Sequence, residues 1–289
     1  MNICLHGINL QKEFVPFIEL LIKSLQNRDA GIFCTEKFSK SLQRLNIKAQ
    51  LKEIGKDEFS QMDFIFSVGG DGTLLDTVTF IGNSEVPVLG INTGRLGFLA
   101  TVAKENIEGA ISDLFDGQYT IESRAVLEMH ASRQVFNGAN FALNEFTIHK
   151  RDTSSMITVH TYIDGQYLNS YWADGLIVST PTGSTGYSLS CGGPLITPGA
   201  RNFVITPVSP HNLNVRPIVV SDESEISFRI EGRSEKFLIS LDSRSTAIDA
   251  SVELKVRKAP FSAKLVKFSK YNYFDTLRQK LNWGFDMRN

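Results

Sequence analysis

In the first hundred residues, short apolar runs alternate with stretches whose apolar residues recur at helical spacing, and that alternation admits few folds. The runs are residues 2–6, 31–35, 63–68 and 86–91. Between the first two, Phe14, Phe17, Ile18, Leu21, Ile22 and Leu25 fall on one face of a helix. Residues 36–46, 73–81 and 104–115 carry further helical patterns. Short buried strands joined by helices imply a parallel sheet covered on both sides.

After Tyr119 the texture changes to strand-like runs with no helix between them: 120–131, 142–150, 156–163, 172–179, 203–206, 218–220, 225–230, 236–241 and 251–256. Asn137-Gly138 and Asp164-Gly165 are turn residues among them, the latter a hairpin signal. The expected architecture is therefore α/β + β: an N-terminal Rossmann-like parallel α/β domain, then an antiparallel β-sandwich-like domain. The expected division is 1–105 plus 271–289 for the first, whose final segment reads as a helix, and 106–270 for the second.

The third strong strand ends in Gly69-Gly70-Asp71-Gly72-Thr73, and a helix follows. In an open α/β sheet, ligands bind beyond the carboxyl ends of the strands. Glycines there let backbone N–H groups approach a phosphate, and a helix N-terminus favours the same charge. Gly70, Gly72 and Thr73 are thus phosphate-binding candidates. Asp71 would repel an anion unless it has another task. It could accept the proton of an attacking hydroxyl or bind the magnesium that accompanies a nucleotide. A plain turn in which Asp71 caps the helix is the alternative. Arg95, in a glycine-flanked loop after the next strand, is a further phosphate-side candidate.

Residues 172–187 end a strand in a loop of hydroxyls, Thr182, Ser184 and Thr185 among them, followed by Tyr187. Such a loop can hydrogen-bond a ribose and stack a base, although ordinary Ser/Thr turn chemistry would also account for it. Leu143-Asn144-Glu145 sets an amide beside a carboxylate in a strand. The five histidines lack the spacing of helical metal ligands, so no metal-binding residues are expected. The three cysteines are scattered and suit reduced thiols in a cytoplasmic protein. A net charge of −1 gives no basic surplus for nucleic acid or an anionic membrane. Neither a secretory signal nor a membrane-spanning run is expected.

Taken together, Gly69 to Thr73, Asn92 to Leu99, Leu143-Asn144-Glu145, Asp174-Gly175 with Ser179 to Tyr187, and Pro207 to Pro217 resemble the NAD kinase family, in an order that covers most of the chain. The resemblance implies two domains with the active site between them. It implies transfer of the terminal phosphate of ATP to the 2′-hydroxyl of the adenosine ribose of NAD. Asp71 would orient and deprotonate that hydroxyl, and Gly70, Gly72 and Thr73 would hold phosphates. Asn144 would bind adenine or ribose, Glu145 and Asp174 the ribose and nicotinamide parts, and Thr185 and Tyr187 would line the adenine pocket. ATP, NAD and Mg2+ are the implied ligands, and a homodimer or homotetramer the implied assembly. Two departures stand out: Gly186 precedes Tyr187 where the family usually has Ala, and Leu241-Asp242-Ser243-Arg244 stands where Asp-Gly-Gln is common. No role carries over to Ser243 or Arg244. A lipid kinase sharing the glycine turn would not explain Asn144-Glu145 or the hydroxyl loop. A non-catalytic dinucleotide-binding regulator would gain nothing from Asp71.

Overall fold

The computed structural model describes residues 1–94, 97–151 and 155–283. The chain divides into two compact units, Met1–Ser123 with Ala263–Asn289, and Arg124–Ser262. The sequence texture put the division near residue 105; it falls later because the helix at Ile107–Phe115 buries Ile107, Ala110, Ile111 and Leu114 in the first unit's core.

The first unit holds β1 (Asn2–His6), α1 (Val15–Gln26), β2 (Gly31–Cys34), α2 (Glu36–Arg44), β3 (Lys52–Glu53), β4 (Phe64–Gly69), α3 (Asp71–Ile81), β5 (Val88–Asn92), β6 (Val102–Ala103) and α4 (Ile107–Phe115). The strands run parallel in the order β3-β2-β1-β4-β5, with β6 beside β5. Successive strands step outward from β1 in one direction to β3, then restart at β4 in the other. The carboxyl ends of β1 and β4 thus form the topological switch point, where such sheets leave a crevice. In β4, Phe64, Phe66 and Val68 join a core with Phe17, Ile18 and Leu21 of α1 and Phe38 and Leu42 of α2. On the other side of β4, Ser67 meets α3 through its hydroxyl, which accepts a 2.8 Å bond from Thr77. Burial on both faces is why β4 reads as a nearly continuous apolar run, interrupted by Ser67.

The second unit contains β7 (Thr120–Ala131), which leaves the first unit, then β8 (Phe141–Ala142), β9 (Glu145–Lys150), β10 (Ile157–Ile163), β11 (Gln166–Ala173), β12 (Gly175–Ser179), the short α5 (Tyr187–Ser190), β13 (Asn202–Val208), β14 (Ile218–Ser221), β15 (Ile226–Glu231), β16 (Lys236–Leu241) and β17 (Arg244–Asp249). The long β18 (Leu254–Lys267) returns to the first unit, where α6 (Tyr273–Leu281) follows. One antiparallel layer has the order β14-β13-β12-β9-β16-β17. A second has β11-β10-β15 with the start of β18, also antiparallel. Phe146, Ile148, Leu176, Val178, Phe203 and Ile239 of the first layer share one core with Ile157, Val159, Ile226 and Phe228 of the second.

Two expected strands are in fact broken. Residues 142–150 split between β8 and β9, with Leu143-Asn144 between them, and residues 172–179 split between β11 and β12 at Asp174. At the second break the chain passes from one layer to the other. Both breaks carry candidate functional residues.

Candidate active site

At the switch point, α3 begins at Asp71 itself, with Gly70 as N-cap and no side-chain cap on its first N–H groups. Gly70 and Gly72 are exposed and Thr73 half-buried, so the turn presents bare backbone where a phosphate can approach. Asp71 does not cap its own helix. Its Oδ2 accepts from Phe98 N (2.7 Å), and its Oδ1 from Leu99 N (3.1 Å) and Ala100 N (2.9 Å). One side chain thereby fixes the loop after β5. A carboxylate oxygen has two lone pairs, so Oδ2 keeps one for a further hydroxyl donor. The loop comes so close that a Cβ on Gly97 would lie 1.8 Å from Asp71 Oδ1. Gly97→Ala is expected to push the carboxylate off its donors and lower kcat, by up to about 10²-fold for a displacement of roughly 1 Å. Steady-state kinetics check it, with a melting curve to show that the fold persists. Arg95 lies outside the described residues.

Sequence reasoning set His6 aside, yet it ends β1 at the same switch point, fully buried. Its Nδ1 lies 3.0 Å from Thr35 Oγ1 and its Nε2 2.9 Å from Asp76 Oδ2. Lys37 Nζ donates to the same Asp76 carboxylate at 2.7 Å. Burial raises the Asp76 pKa, but the bonds from His6 and Lys37 outweigh it and the net shift is downward. The network ties β1, α2 and α3 together, which fixes the helix that carries Asp71.

In the second unit, strand alternation places Glu145, Thr147 and His149 of β9 on the face turned away from the core, since Phe146 and Ile148 point into it. Ser179 of β12 is the register partner of Glu145. The bend at 143–145 is made by Asp242, whose carboxylate accepts from Leu143 N (2.9 Å), Asn144 N (2.8 Å) and Glu145 N (3.1 Å). The hydroxyl loop packs on that bend: Thr180 N donates to Asn144 O at 2.9 Å, and Thr180 Oγ1 to Leu143 O at 2.6 Å. A backbone N–H of Tyr187 reaches the Glu145 carboxyl.

Three buried polar atoms meet here with no protein partner: Asn144 Oδ1, Glu145 Oε2 and Ser179 Oγ. Orphans of this kind cost free energy unless a ligand or water completes them. Burial, then the nearby Asp242 charge, pushes the Glu145 pKa up to about 8 against the Tyr187 bond. Beside this pocket the Tyr187 ring stacks on His149, with centroids 5.6 Å apart and planes 19° apart. Burial pushes the His149 pKa down, so the imidazole is neutral at pH 7 and offers a flat apolar face. His149 was missed in the sequence; the period-two row Glu145, Thr147, His149 was the signal for it.

The remaining candidates differ in what they can offer a ligand. Asp174 sits at the β11–β12 break, 2.6 Å from Lys150 Nζ. Thr185 is half-buried and donates to Thr182 O at 3.2 Å. Thr182 is buried and accepts from Arg124 Nη1 at 3.3 Å. Ser184 is fully buried; its hydroxyl donates to Pro181 O at 2.7 Å and accepts from Ile196 N at 3.0 Å. The structure thus gathers Asn144, Glu145, Thr182, Ser184, Thr185 and Tyr187 around one bend, with Ser184 inside the loop's own bonding.

Comparison with known proteins identifies both halves of the chain. The ATP-NAD kinase N-terminal domain model matches residues 15–119 and the ATP-NAD kinase C-terminal domain model residues 143–268. An NAD kinase of Cytophaga hutchinsonii is 51% identical over 292 residues, covering 100% of both chains. One of Flavobacterium psychrophilum is 45% identical over 294 residues, again 100% of both. Among solved structures, an Archaeoglobus fulgidus NAD kinase in complex with ATP superposes with a TM-score of 0.75 at 26% identity, covering 98% of this chain and 99% of the other. A yeast NADH kinase complexed with NADH gives 0.88 at 22% identity, covering 99% and 89%, which is a likeness of fold. Matched in both halves and along its full length, the chain belongs to the NAD kinase family, enzymes that transfer the terminal phosphate of ATP to the 2′-hydroxyl of the adenosine ribose of NAD.

Proposed function

We propose a division of labour for this reaction in which the second unit binds the nucleoside of NAD and the first supplies the phosphate turn and the acceptor of the proton. The observation that carries the reading is the trio of orphaned atoms at Asn144, Glu145 and Ser179. A ribose or adenine supplies the donors and acceptors that they lack. Tyr187 and His149 form the apolar wall for the base, and Asp174 with Lys150 closes the polar side. Gly70, Gly72 and Thr73 hold phosphate oxygens through backbone N–H groups and the helix N-terminus.

Asp71 takes the free lone pair on Oδ2 to the 2′-hydroxyl, orients it, and receives its proton late in transfer. A loose phosphoryl-transfer transition state needs no stronger base. Magnesium comes best as the nucleotide complex. No three His, Cys, Asp or Glu residues stand together as an ion site among the described residues, and Asp71 is already bonded to three backbone N–H groups.

The test is a donor-by-acceptor matrix: ATP or polyphosphate against NAD or NADH, with and without magnesium. Turnover of NAD with ATP and magnesium is expected; no turnover with any pair would end the reading. A smaller effect is expected at the base wall. His149→Ala should raise KM for NAD by up to about tenfold while kcat holds, since one stacking partner is worth about 0.5–1.5 kcal/mol.

An assembly of two or four copies is supported by exposed apolar side chains on the second unit, Trp172 and Leu213. Light scattering reads the number. Three free thiols suit a cytoplasmic setting. Among the described residues no helix is long and apolar enough to cross a membrane.

A further inference from the structure

Asp242 lies close enough to Glu145 for its charge to raise the Glu145 pKa, and the two carboxyls have unequal support. Asp242 follows the fully buried Leu241 and accepts three consecutive backbone N–H groups. The Arg244 charge favours the Asp242 carboxylate, and its guanidinium donates to Ala139 O and Phe141 O. Glu145 receives one backbone N–H, and its Oε2 has no partner. Burial pushes both carboxyls up. With three donors and a cation, Asp242 keeps the charge, and the proton resides on Glu145.

We propose that Asp242 is a positioning residue that both shapes the 143–145 bend and keeps a proton on Glu145 in the free enzyme, so that binding of the NAD ribose releases that proton to solvent. The inference rests on the reading that Glu145 meets the ribose. Ribose hydroxyls donate hydrogen bonds, and a carboxylate with two lone pairs on each oxygen accepts them better than a protonated acid does. Among the described residues, other charged and titratable groups surround Glu145. From the β16–β17 turn come Asp242 and Arg244, and from α5 Tyr187, whose ring touches His149. Lys150 and Asp174 lie further along as an ion pair, and Arg124 is bonded to Thr182 of the loop. His149 is held neutral by burial, and Lys150 and Asp174 pair with each other.

The sign follows. Below the pH at which free Glu145 ionises, NAD must displace a proton, so affinity rises about tenfold per pH unit and levels off once the proton is gone. The experiment is calorimetric titration of the full-length enzyme with NAD, without ATP, from pH 6 to 9 in two buffers of different ionisation enthalpy. Wild type should release close to one proton at pH 7, and its affinity profile should break near pH 8, the value to which Glu145 is raised. Glu145→Gln should release none and show no break. Asp242→Asn removes the like charge, and the break should move at least one pH unit to the acid side. A break that stays in place in Asp242→Asn overturns the role of Asp242. If that variant does not fold, wild type and Glu145→Gln decide: equal proton release in both overturns the proposal. A Glu145→Gln enzyme with unchanged NAD affinity shows instead that the ribose is not at Glu145, and both readings fall. Altered affinity with no proton release in wild type leaves the site reading standing and removes only this inference.

Discussion

Asp71→Asn is expected to lower kcat by about 10²–10⁴-fold, the usual worth of a positioned general base, while the Kd for NAD changes by less than about threefold. The reason for the split is location. The residues proposed to bind the nucleoside belong to the second unit, and Asp71 begins α3 of the first. The asparagine would also disturb the loop, because an amide NH2 would stand where one oxygen now accepts from Phe98 or from Leu99 and Ala100. Bonds from a backbone N–H to a charged acceptor contribute about 1.5–3 kcal/mol each, so some loss of melting temperature is expected too. Gly97→Ala separates the two effects, since it displaces the same loop and keeps the carboxylate. A much larger kcat loss in Asp71→Asn than in Gly97→Ala marks the carboxylate as the proton acceptor. Equal losses would make Asp71 an anchor of the 98–100 loop and nothing more. A fall in NAD affinity parallel to kcat would have the same meaning.

The parallel half of the fold was legible because its signals are local. The strand of residues 64–69 is buried on both faces and reads as a nearly continuous apolar run, and α1 carries its apolar residues at helical spacing. The glycine turn announced itself by composition. What the sequence hid was long-range. Asp71 meets Phe98, Leu99 and Ala100, and Asp242 meets Leu143, Asn144 and Glu145; both partnerships span many residues. Apolar patterning ran straight through Leu143-Asn144 and Asp174, so the strands were drawn as continuous. Their breaks come from a carboxylate bonding backbone N–H groups in one case and from the change of layer in the other. These are the points where a strand leaves its ladder and has polar groups to spare, so the errors fell on the site. His149 escaped notice because a lone histidine in a strand carries no signal until its stacking partner Tyr187 is in place.

Gly183→Ala is expected to be the most damaging single methyl group in the nucleoside pocket. A Cβ at this position would lie 2.1 Å from Asn144 O and 2.5 Å from Asn144 C. Both are backbone atoms, so no side chain can rotate out of the way. The carbonyl is also committed, since it accepts from Thr180 N, while Thr180 Oγ1 bridges Gly183 N and Leu143 O. Relief therefore requires the loop and the bend to separate, breaking bonds that hold Asn144 and Glu145 in place. Overpacking of this kind costs about 1–3 kcal/mol, and loosening the pocket should raise KM for NAD by more than about tenfold. Gly199→Ala is the control, because nothing lies within 4 Å of a Cβ there. It should melt and turn over as wild type does. Thermal melts and NAD saturation curves on the two variants decide the matter. A Gly183→Ala enzyme indistinguishable from Gly199→Ala would mean that the hydroxyl loop does not rest on the 143–145 bend. In that case Asp242, which builds the bend, could not govern how the enzyme meets its nucleoside.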